Sequence, residues 1–138
     1  MNILFYLVPK NELVYIYDDY TVRQTMEKME YHRYASVPIN NRKGNYVGSL
    51  TEGDLLWELK RRNISDRKEL EDMPIRQLKR RRDNQPVNIN CDMEDLVMTS
   101  MNQNFIPVVD DNGTFIGIVT RKSIISYCFD QYKKTKAK

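Results

Sequence analysis

Two stretches of the chain carry the same order of apolar and polar positions. Residues 34–54 read YASVPINNRKGNYVGSLTEGD, and residues 104–123 read NFIPVVDDNGTFIGIVTRKS. Each begins with proline between apolar residues, Val37-Pro38-Ile39 and Ile106-Pro107-Val108. Each passes through a polar turn with a glycine, Gly44 or Gly113. Each then runs aromatic, β-branched, glycine (Tyr46-Val47-Gly48 and Phe115-Ile116-Gly117) and closes on an apolar residue and threonine, Leu50-Thr51 and Val119-Thr120. Strand, tight turn and strand predict a hairpin in both places.

Helices are predicted on either side of each hairpin. Thr21 and Gln24 have capping-box spacing, and Val22, Thr25, Met26 and Met29 fall on one helical face. In the second repeat Asp92 is the expected N-cap, with Met93, Leu96, Val97 and Met101 on the face. Leu55, Leu56 and Leu59 follow the first hairpin; Ile124, Ile125 and Cys128 follow the second. With a leading strand near Val14–Tyr17 and another near Val87–Asn90, each repeat reads β-α-β-β-α. The expected division is a first repeat over residues 1–62, a charged crossover over 63–83, a second repeat over 84–132 and a solvated basic tail over 133–138.

Composition alters this picture little. The 138 residues suit one compact domain, and the net charge of +3 is mild. Cys91 and Cys128 stand far apart without a CxxC pairing, which suggests neither a disulfide framework nor zinc and points to a reducing, cytoplasmic setting. The apolar N-terminal run lacks a basic flank and meets Pro9 and Lys10 early, so neither a signal peptide nor a membrane span is expected.

The repeated pattern resembles the CBS domain pair, or Bateman module. The resemblance rests on Tyr34-Ala35-Ser36-Val37-Pro38-Ile39 with Tyr46-Val47-Gly48-Ser49-Leu50-Thr51-Glu52-Gly53-Asp54, and on Ile106-Pro107-Val108-Val109-Asp110 with Ile116-Gly117-Ile118-Val119-Thr120. The second copy departs at the acidic position, where Ser123 stands. The resemblance implies an α+β fold: two repeats about a pseudo-twofold axis, sheets packed together with flanking helices. It further implies a regulatory module, commonly a homodimer, that binds an adenosine-containing ligand in a cleft between the repeats and signals to a target protein. AMP, ADP, ATP, S-adenosylmethionine and cyclic di-AMP are the ligands to consider.

The Thr-x-x-Asp segment has a chemical logic of its own. A carboxylate repels phosphate but accepts hydrogen bonds from a ribose 2′,3′-diol. Asp54 is therefore the expected ribose anchor, with Thr51 and the helix start toward the phosphate. In the second repeat Thr120 precedes Arg121 and Lys122, two cations that suit a phosphate. One good site and one weaker one are expected. By resemblance Ile16, Tyr34, Ala35, Ser36, Val37, Pro38, Phe105 and Ile106 would border the base, although apolar strand residues are ordinarily core.

Competing readings are weaker. His32 stands without a nucleophile motif and reads as structural, as does Trp57 among leucines. No catalytic pair, phosphate-binding loop or metal-ligand cluster appears, so no enzyme activity is expected. The basic run Lys79–Arg82 could contact nucleic acid, but Glu69, Glu71, Asp72 and Asp83 lie beside it, and no nucleic-acid-binding signature accompanies it. A ligand-free dimerisation or docking module is the other alternative.

Overall fold

The computed structural model describes residues 3–63 and 67–137. The expected crossover and tail therefore contain residues, 64–66 and 138, that lie outside the described ones. The chain divides into two units: residues 14–83 form one, and residues 1–13 together with 84–138 form the other.

In the unit of residues 14–83, strand β2 (Ile16–Tyr17) runs parallel to β3 (Ser36–Asn40), which pairs antiparallel with β4 (Tyr46–Thr51). Helix α1 (Val22–His32) leads into β3, and α2 (Glu52–Arg61) leaves β4. The capping box of Thr21 and Gln24 forms as the spacing predicts, with both hydrogen bonds present. Ile16, Val22, Met29, Val37, Ile39, Leu50 and Leu55 make the core.

The crossover belongs to this core. Helix α3 (Arg67–Glu71) and a 3₁₀ helix (Ile75–Gln77) bring Leu70, Ile75 and Leu78 into it, all nearly inaccessible. Their backbone is tied to the start of α1: Val22 N–H donates to Met73 C=O at 2.9 Å, and Ile75 N–H to Tyr20 C=O at 2.8 Å. Three buried aliphatic side chains in a charged segment are enough to anchor it, since burial of each contributes about 1.5–3 kcal/mol.

The other unit repeats the plan with one addition. β5 (Val87–Asn88) runs parallel to β6 (Phe105–Val109), and β6 pairs antiparallel with β7 (Phe115–Thr120). Helix α4 (Met93–Ser100) precedes the hairpin and α5 (Arg121–Lys136) follows it. Thus Lys133 to Lys136 form the exposed last turn of a helix. The addition is β1 (Val8–Pro9), which pairs antiparallel with β7 through Val8–Ile118 and Pro9–Gly117. The N-terminal segment thereby joins the sheet of residues 84–137, whereas the expected division counts it in the first repeat, residues 1–62.

The hairpins match in detail. Both bulge at the same register, at Ile39/Asn40 and at Val108/Val109. Both turns place glycine in the left-handed region, Gly44 at φ 90° and Gly113 at φ 80°. Both hold the turn by a side-chain oxygen that accepts two backbone N–H groups: Asn41 from Lys43 and Asn45, Asp110 from Asn112 and Thr114. The expected helical face in the second repeat is shorter than the spacing suggests. Leu96 is buried, but Met101 falls beyond the end of α4 and is exposed.

Candidate functional site

The strongest constellation lies where β4 hands over to α2. Thr51 is the N-cap; its hydroxyl accepts the Asp54 N–H at 3.1 Å, and the Asp54 carboxylate accepts the Thr51 N–H at 3.0 Å. The second carboxylate oxygen accepts the Arg81 N–H, from the crossover, also at 3.0 Å. Asp54 is only 4% exposed. A carboxylate offers about four acceptor positions, so two remain for a ligand hydroxyl.

Asp54 lines a pocket of about 420 Å³ together with Trp57, Lys60, Arg61, Lys79, Arg80 and Arg81. Its cations differ in what they face. Arg80 grips Asp83 through two bonds, at 2.8 and 3.2 Å, and Asp83 also accepts the Ser49 N–H at 3.0 Å. Burial opposes the Asp83 charge, but Arg80 and the Ser49 N–H outweigh it and hold the carboxyl below the usual range. Arg61 meets Glu58 at 2.6 Å, and Glu58 also serves Arg62 at 3.0 Å. Among the described residues Lys60, Lys79 and Arg81 form no ion pair. Lys60 Nζ instead sits 5.4 Å from the centre of the Trp57 ring.

The glycine of this motif has a structural cause. A Cβ on Gly48 would lie 2.7 Å from both Arg80 Nη2 and Asp83 Oδ1. Glycine thus lets the crossover close over β4 and delivers Lys79 to Arg81 to the pocket.

The other residues singled out in the sequence scatter. Ile16, Val37 and Ile106 are completely buried in the cores, and Pro38 and Phe105 are buried as well. Ser36 opens β3. Ala35 is exposed, and its C=O accepts the Glu52 N–H at 2.9 Å. That bond and the Thr51–Asp54 bond occupy two N–H groups of the α2 first turn, so cationic side chains dominate the charge facing the pocket. Tyr34 stacks on His32 at 5.6 Å and borders a separate apolar groove with Met26, Leu55, Leu56 and Leu59.

In the second repeat Thr120 caps α5 by accepting the Ser123 N–H at 3.2 Å, and the two hydroxyls lie 3.0 Å apart. The capping geometry therefore survives without the acid, but no carboxylate is left for a ribose. Arg121 Nε donates to Ser100 C=O at 2.8 Å, at the end of α4; Lys122 is exposed. Trp57 and the basic crossover, which the sequence reads as packing and a solvated charge run, both line the pocket. The signal that could have found them is the pair of basic runs, Lys60–Arg62 and Lys79–Arg82, bracketing the segment that follows Asp54.

Two β-α-β-β-α units, each with a threonine-capped helix after a glycine-bearing hairpin, define a tandem-repeat α+β chain. The chain belongs to the CBS domain family, which it matches over residues 7–61 and 72–130. It is 34% identical over 103 residues to an uncharacterized protein of Methanopyrus kandleri, a match covering 71% of this chain and 48% of that protein. The chain thus spans about half the length of the curated relative it matches. Among solved structures it resembles CbpB in complex with c-di-AMP, at a TM-score of 0.85 and 20% identity over 99% of this chain and 90% of that one. It also resembles CBSX2 in complex with AMP, at a TM-score of 0.73 and 20% identity over 95% and 98% of the two chains. Among the described residues no helix is long and apolar enough to cross a membrane.

Proposed function

We propose that the protein is a non-catalytic regulatory module that binds an adenine nucleotide in the pocket at the start of α2 and relays its occupancy to a target protein in the cytoplasm. The observation that carries the reading is the pocket itself: a buried carboxylate, one aromatic wall and a ring of cations in about 420 Å³. The Asp54 carboxylate accepts ribose hydroxyls, the Trp57 indole offers a flat face to the base, and the cations meet phosphate oxygens. The adenylyl ligands of the structurally similar CbpB and CBSX2 support the same ligand class. Occupancy acts by favouring one arrangement of the pocket walls, and only differential affinity can shift that population.

Titration calorimetry of the purified chain with AMP, ADP, ATP and c-di-AMP tests the reading. Binding of at least one is expected, and heat from none of them would end it. Trp57 is 42% exposed, so Trp57→Ala leaves the fold intact and is expected to weaken binding by roughly tenfold or more, the usual worth of a base stack.

The module works as a homodimer in this reading. The groove of Met26, Leu56 and Leu59 and the stripe Ile125, Phe129 and Tyr132 on α5 leave apolar surface exposed, and such patches mark contact surfaces. Light scattering is expected to give twice the chain mass; a monomer at 100 μM would refute the dimer.

A further inference from the structure

Resting on that reading, we infer that the pocket is built for a linear polyphosphate and that Lys60, Lys79 and Arg81 set the preference for ATP over AMP. The cations fall into two groups. Arg80 is neutralised by Asp83, and Arg61 shares Glu58 with Arg62. Lys60, Lys79 and Arg81 line the same pocket without an ion-pair partner among the described residues.

Against these three stands a single carboxylate, Asp54, which also accepts the Thr51 and Arg81 N–H groups. Like charges gathered around one cavity repel each other, and the one Asp54 carboxylate relieves only part of that repulsion. A ligand relieves the rest in proportion to the charge it brings. A monophosphate brings about two negative charges, gathered on one group. Each added phosphoryl group of a linear chain brings further charge and acceptor oxygens, and keeps them contiguous. A cyclic dinucleotide brings two singly charged diesters held apart by its ring, a poorer match to a cluster on one side of a pocket.

None of the three cations belongs to the motif that positions Asp54. Lys60 comes from the third turn of α2, and Lys79 and Arg81 come from the crossover. Arg81 contributes twice: its backbone N–H fixes the crossover to Asp54, and the residue lines the cavity. Phosphate count is thereby read by the crossover together with the last turn of α2, and the adenosine end by the first turn of α2.

The test is titration calorimetry of the full chain with AMP, ADP, ATP and c-di-AMP at two salt concentrations. The expected order is ATP, then ADP, then AMP, with ATP at least ~10-fold tighter than AMP and its advantage shrinking as salt rises. In Lys60→Ala/Lys79→Ala/Arg81→Ala the ATP-to-AMP preference is expected to collapse to within about threefold. Lys43→Ala, a charge removed at the far end of β4 from Thr51, is expected to keep the preference. AMP or c-di-AMP binding as tightly as ATP overturns this inference and leaves the proposed function standing, as does a preference that survives the triple substitution. Failure of every adenylyl compound to bind removes the proposed function itself.

Discussion

Replacing Asp54 by alanine is expected to cost about 2–4 kcal/mol, the penalty of stripping two part-buried N–H groups of their acceptor and the capping box of one of its two bonds. The readout is the urea midpoint at unchanged slope. The donors are Thr51 N–H, at the mouth of α2, and Arg81 N–H, in the crossover. Their loss frees two segments at once, so the crossover should lose amide-exchange protection along with the first turn of α2. Asp54→Asn should lie between the two: its carbonyl can accept one N–H, but its amide nitrogen then faces the other donor. A stability equal to that of the unsubstituted chain would show that water replaces both bonds without cost. Any loss of ligand affinity in these variants has to be corrected for the folded fraction, because the carboxylate holds the pocket together as well as facing into it.

Gly117→Ala should be as damaging, at about 3 kcal/mol, near the top of the range for forced overpacking. A Cβ there would overlap the Val8 C=O, which is backbone and cannot swing aside. The expected result is detachment of β1 from β7, seen as lost exchange protection at Ile118, together with a lower urea midpoint. Gly48→Ala is the contrast. The atoms a Cβ would meet there belong to the Arg80 and Asp83 side chains, which can shift, so roughly 1 kcal/mol is expected. Equal costs for the two would contradict the geometry.

The two glycines also show where sequence reading stops. Both hairpins, their turns and the helix starts were legible because each is fixed by residues within a few positions: Pro38 and Pro107 near strand starts, Gly44 and Gly113 at positive φ, Thr21 with Gln24 and Thr51 with Asp54 in capping boxes. What covers Gly48 and Gly117 was not legible. One is covered by the crossover and the other by a two-residue strand from the N-terminal segment, and a pairing so short has no local signature. The same limit governs the site. Asp54 stood out by its motif, but Lys79 to Arg81 looked like a solvated charge run, because their delivery depends on Leu70, Ile75 and Leu78 anchoring the crossover. Ile16, Val37 and Ile106, which the resemblance sets beside the base, have their side chains in the cores, as alternating apolar strand positions ordinarily do.

The pairing of Val8 with Ile118 fixes an order of events on the ribosome. Residues 14–83 are one continuous stretch, and the strands of their sheet pair within it. The segment made before them pairs with β7 instead. Val8 and Pro9 must wait, exposed beside Leu4 and Phe5, until the closing strand of the second sheet has been synthesised. Residues made before the first sheet are thus placed only after the second one exists. Premature stops inside the second repeat would leave that apolar segment without its strand partner, a ready seed for aggregation.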